Sequence, residues 1–90
     1  MSSFDPDLPY RCAPSVSLRP EPFGALAYDF STRRLSFLKS LELVKTVRAL
    51  ISNPDVHGAL EEAGVPAEER RAYLTALAGL AEAGTIQPRR

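Results

Sequence analysis

Residues 24–39, GALAYDFSTRRLSFLK, alternate with period two, and that alternation most limits what this chain can become. Successive side chains of an extended strand point to opposite faces. Leu26, Tyr28 and Phe30 therefore share one face, and Ala25, Ala27 and Asp29 the other. Residues 31–33 supply a polar turn. Residues 34–39, RLSFLK, return with Leu35 and Phe37 on one side and Ser36 and Leu38 on the other. Aromatic and aliphatic residues at this period suit a half-buried sheet. Beyond Lys39 the period becomes helical, so no further strand is expected beside residues 34–39. Such an edge is a row of unpaired backbone donors and acceptors, able to capture another extended peptide.

The flanking segments complete an α+β pattern. Residues 1–14 hold Pro6, Pro9 and Pro14 and read as a mostly unstructured lead-in. Residues 15–19, SVSLR, make a short strand that Pro20 and Pro22 break. After the hairpin, Ser40 is an N-cap with Glu42 in the first helical turn. Leu43, Val47, Leu50 and Ile51 fall on one stripe of this helix. Asn53 and Pro54 end it and start a second, whose apolar side is Val56, Ala59, Leu60 and Ala63 and whose stop is Gly64. Pro66 opens a third helix, with Tyr73, Leu74, Leu77, Leu80 and Ala81 as its buried face and Gly84 as its end. Ile86 folds back onto the core and residues 87–90 are a tail. The expected fold is a three-stranded antiparallel sheet packed on three helices, winged-helix-like in arrangement.

Chemistry is hard to build from this inventory. His57 is the only histidine and Cys12 the only cysteine, so neither a zinc set nor an iron–sulfur cluster can be assembled. There is no phosphate-cradling glycine loop and no G-x-S-x-G elbow. We expect no enzyme, no cofactor and no metal. A lone cysteine forms no internal disulfide, and the N-terminus has no apolar core flanked by basic residues, so a cytoplasmic location is expected. No apolar run reaches the ~20 residues of a membrane span. Arg33, Arg34, Lys39, Lys45 and Arg48 stand against Glu42 alone over residues 33–48, a local excess of +4 in a chain of formal net charge +0. Such a run is ordinarily a solvated face. Gly79, inside the third helix, reads either as plain packing or as room for another backbone.

The segments RPEPFGALAYDFSTRRLSFLKS at 19–40 and ALEEAGVPAEERRAYLTALAGLAEAG at 59–84 carry a resemblance. Over about residues 10–86 the chain is similar to the mycofactocin-system peptide chaperones. These are RiPP recognition elements of the PqqD-like family, domains that bind precursor peptides for modifying enzymes. The first segment is the specific one; alanine- and leucine-rich helices are common.

The residue pattern divides the chain into a flexible segment at 1–14, a domain at 15–86 and a tail at 87–90, and the resemblance implies that the domain is a peptide-recognition domain. It implies a non-catalytic chaperone that binds the leader of a ribosomally made precursor, the mycofactocin precursor, by strand addition. The leader would lie beside the third strand, on Arg33, Arg34, Leu35, Ser36, Phe37, Leu38 and Lys39. It would face the third helix at Tyr73, Leu74, Leu77, Ala78 and Ala81. The implied partner is a radical S-adenosylmethionine enzyme, which would perform the chemistry. Lys45 and Arg48, on the outer side of the first helix, are expected to face that enzyme. No nucleic acid or membrane partner is expected, and the open edge allows self-association. The alternative is a winged-helix DNA-binding domain. Against it, residues 72–83 of the third helix offer no Arg, Lys, Asn or Gln to read bases.

Overall fold

The structure is a computed structural model describing residues 4–89. Five strands and three helices follow one another: β1 (Tyr10–Cys12), β2 (Val16–Glu21), β3 (Gly24–Asp29), β4 (Arg34–Leu38), α1 (Leu41–Ala49), α2 (Val56–Glu62), α3 (Arg70–Glu82) and β5 (Ile86–Pro88). Short 3-10 turns at Leu50–Ser52 and Ala67–Glu69 extend α1 and lead into α3. The expected three-stranded antiparallel sheet on three helices is present, in the order β2-β3-β4. A second, two-stranded antiparallel sheet joins β1 to β5.

Cross-strand register sorts the main sheet into two faces. Ala27 lies between Leu18 and Ser36, and Ala25 between Pro20 and Leu38. Ala25, Ala27 and Leu38 are buried under the helices. The inward face is thus the one with small side chains. Gly24 allows the closest approach. Its φ is +155°, and an added Cβ would overlap the Leu38 carbonyl oxygen. Below this face Leu43, Val47 and Leu50 of the first helical segment pack with Val56, Ala59 and Leu60 of α2, Leu77 and Leu80 of α3, and Ile86.

The helix caps follow local chemistry. Ser40 Oγ accepts from the Leu43 amide at 3.0 Å. The second helix starts two residues later than Asn53–Pro54 suggested: Asp55 is its cap and accepts from the Gly58 amide at 2.8 Å. An Asp in extended conformation competes well for that position. Ile51 departs from its expected stripe and is exposed, because the chain has turned from α to 3-10 winding there.

Three further expectations are corrected. Residues 10–12 are not part of an unstructured lead-in. They form β1, with Tyr10 buried, its ring 5.1 Å from Phe4 and its hydroxyl accepting from the Asp5 amide. The segment at 87–89 is not a loose tail. Gln87 and Pro88 belong to β5, and the Arg89 guanidinium donates to the carbonyls of Leu50, Ile51 and Asn53, just beyond the C-terminal end of α1. Pro20 does not end β2, which runs on to Glu21. β2 is an edge strand, where a missing amide is tolerated.

Gly24→Ala forces a Cβ into the Leu38 carbonyl and should destabilise the fold by about 2–3 kcal/mol, read from the urea midpoint. An unchanged midpoint would contradict the close approach.

Candidate functional site

Among the described residues β4 pairs on one side only, with β3. Its second edge is the open one anticipated above. β2 also has an outer edge, but Pro20 removes a donor from it. β4 therefore carries the unblunted edge.

A carboxylate fixes where β4 begins. Asp29 Oδ1 accepts from Ser15 Oγ at 2.8 Å, Ser31 Oγ at 2.8 Å and the Ser31 amide at 2.9 Å. The Asp29 carbonyl accepts from the Arg33 amide at 2.7 Å, and Arg33 takes a left-handed φ of 60° to complete the turn. These bonds tie the start of β2 to the β3–β4 turn and set the register of the edge. The Ser15 and Ser31 hydroxyls hold the Asp29 carboxyl below its ordinary pKa, against the opposing effect of burial.

α3 runs alongside. The Ser40 and Tyr73 hydroxyls lie 2.8 Å apart, and those of Ser36 and Thr85 lie 3.5 Å apart. The far end of β4 is thus tethered to the first turns of α3, and its middle to the residues just past the helix. Between them opens a cleft of about 210 Å³ lined by Lys39, Ser40, Leu43, Ala72, Tyr73 and Ala76.

The expected site residues fall into distinct places. Arg33, Arg34, Leu35, Phe37 and Lys39 are exposed, and Ser36 is half-buried. Leu38 and Leu77 are fully buried in the core and do not line the cleft. Leu74 and Ala81 are half-buried against that core, and Ala78 is half-buried. Of the α3 residues, Tyr73 lines the cleft. Sequence reasoning missed Ser40, Leu43, Ala72 and Ala76. The available signal was the i, i+4, i+7 spacing of Ala72, Ala76 and Gly79, a small-residue stripe beside the buried one. A Cβ at Gly79 would meet nothing within 4 Å, so this stripe leaves space next to the helix.

Other features are less suited to chemistry. His57 Nε2 lies 3.2 Å from Asp7 Oδ1 on the surface. Cys12 sits in a cleft of about 340 Å³ with Arg11, Leu18, Val47, Arg48 and Ile51. Burial pushes its thiol pKa up, which leaves it a poor nucleophile. No helix among the described residues is long and apolar enough to cross a membrane.

A three-stranded antiparallel sheet on three helices, with one edge of β4 unpaired, is a PqqD-like α+β domain. The family model of the peptide chaperone MftB family matches residues 9–87, and the chain belongs to that family. It is 45% identical over 86 residues to the peptide chaperone MftB of Mycolicibacterium smegmatis, covering 96% of this chain and 84% of the relative. It is 47% identical over 88 residues to the peptide chaperone MftB of Mycobacterium tuberculosis, covering 98% of this chain and 81% of the relative. No solved structure matches. The family gives the chain a peptide-chaperone role.

The lowered pKa of Asp29 predicts a pH dependence. Its contribution to stability is present above the unfolded carboxyl value of ~3.9 and is lost as pH falls below that toward the folded value. The stability gap between wild type and Asp29→Asn should therefore narrow in acid denaturation series below about pH 4. A gap independent of pH would contradict this role of the Asp29 carboxylate.

Proposed function

We propose that this chain captures the leader of a ribosomally made precursor peptide, the mycofactocin precursor, as an added strand on β4. It then presents the peptide to a radical S-adenosylmethionine maturase. The observation that carries this reading is the unpaired edge of β4 beside the cleft against α3. Membership of a peptide-chaperone family supports it.

Main-chain pairing along β4 supplies affinity with little sequence information, at about 0.5–1.5 kcal/mol net per hydrogen bond. Alternate side chains of the guest supply selection. Those facing inward meet Tyr73, Ala72 and Ala76, where small residues leave room beside the helix. The chain does no bond-making itself. Tethering one end of the peptide raises the effective concentration of its other end near the enzyme, on the order of millimolar for a short linker.

Titrating isotopically labelled chain with the precursor encoded beside it should shift backbone resonances at 33–39 and 72–76. Shifts confined elsewhere would remove the groove. One of the Ser36 and Phe37 amides must point to the open edge and the other into the β3 ladder. At least one of Ser36→Pro and Phe37→Pro should then weaken capture about tenfold or more, with helical circular dichroism retained. Two variants binding like wild type would contradict strand addition.

Arg33, Arg34 and Lys39 flank the edge and would steer an acidic leader. Neutralising all three should slow association and flatten its salt dependence in stopped-flow measurements. Unchanged rates at low and high salt would overturn this steering role.

A further inference from the structure

The sheet is inverted with respect to size. In β3 the small side chains face the helices, and the large apolar ones face outward. Leu26 pairs across the strands with Phe37, and Tyr28 with Leu35. Phe23 and Phe30 extend the same face at either end, through ring contacts of 6.4 Å to Phe37 and 5.3 Å to Tyr28. Phe30 is 64% exposed, Phe37 54% and Leu35 50%. A shallow cleft of about 320 Å³ opens among Leu26, Tyr28, Phe30 and Leu35. Single exposed apolar residues need no explanation, but a contiguous aromatic patch marks an interaction surface.

The rim narrows the choice of partner. Arg19, paired across from Leu26, and Lys39, two residues beyond Phe37, edge the patch on this face, with Arg33 in the turn at its end; Glu21, the acid beside them, lies 3.4 Å from Arg19. A second copy docked by two-fold symmetry would bring the same basic rim against itself, which is unfavourable. A different protein, with an apolar contact surface edged by carboxylates, is complementary.

We propose that the outward face of the β2-β3-β4 sheet is the surface that docks the peptide-modifying enzyme. The identity of that partner rests on the function proposed above; the location rests on the patch and its rim. The two surfaces are compatible. The guest peptide occupies the β4 edge and leaves the outer face uncovered. An added strand would also continue that face, presenting half of its side chains to whatever sits there. Enzyme and peptide would then meet across one extended sheet. This places the enzyme on the sheet rather than on the Lys45 and Arg48 side of α1.

Two measurements test it, both with the full chain and the maturase encoded beside it as the probe. Tyr28→Glu/Phe30→Glu alters the patch away from the peptide edge. It should lower maturase affinity about tenfold or more, as loss of central aromatic anchors does, while leader-peptide affinity stays within about twofold. Maturase affinity equal to wild type would overturn the proposal. So would a variant that abolishes self-association but not maturase binding, since the occupant would then be a second copy. Hydroxyl-radical footprinting of the unaltered chain removes any dependence on the variant's folding. Tyr28 and Phe30 should lose oxidation when the maturase is added, and unchanged oxidation would overturn the proposal. If wild type fails to capture the leader, the function proposed above fails, while the footprint still decides this surface.

Discussion

Burial of the small-residue face of the sheet positions everything else in this molecule. Gly24, Ala25 and Ala27 let the hairpin sit close on the helices, so that Leu38 enters the core with Leu43, Val47, Leu50 and Leu77. Close packing of this kind leaves no slack for a larger side chain. The consequence is a sheet in which the bulky residues of β3 look outward, and whose last strand, β4, runs next to α3 with its second edge unpaired. A one-residue slip would exchange the two faces. The bonds between Asp29, Ser15, Ser31 and Arg33 hold the register at one end, and the glycine contact holds it at the other.

The second sheet is a clasp. β1 and β5 lie at the two ends of the chain and bring residues 10–12 against 86–88. Ala13 donates to the Thr85 carbonyl beside this pair, and Thr85 in turn reaches Ser36 of β4. The end of α3 is thereby held against the middle of the edge strand. A small domain has a thin stability margin, so such closure of its termini is useful.

Local pattern made the hairpin, the three helices and the open edge legible. The period-two run at 24–39, the Ser40 cap and the Gly84 stop each act over a few residues. The β1–β5 pair was not legible, because each strand has only three residues and their partnership spans most of the chain. The direction of the sheet was equally hidden. Alternation shows that Leu26, Tyr28 and Phe30 share a face, but not that the alanine face is the buried one. Within the groove, the apolar stripe of α3 led to Leu77, which the core consumes. The cleft instead uses Ala72 and Ala76, residues with too little side chain to draw notice in sequence. The family match runs over residues 9–87 and gives the peptide-chaperone role, while the edge and cleft give the proposed strand addition a physical means.

Amide hydrogen exchange along β4 tests the central claim most directly. In the free chain, the amides of residues 34–38 that point away from β3 should exchange much faster than those bonded to it, giving alternating protection. Saturating precursor peptide should slow the fast set and leave the slow set unchanged. Uniform protection along β4 before any peptide is added would mean that the edge is already filled, and would contradict the account.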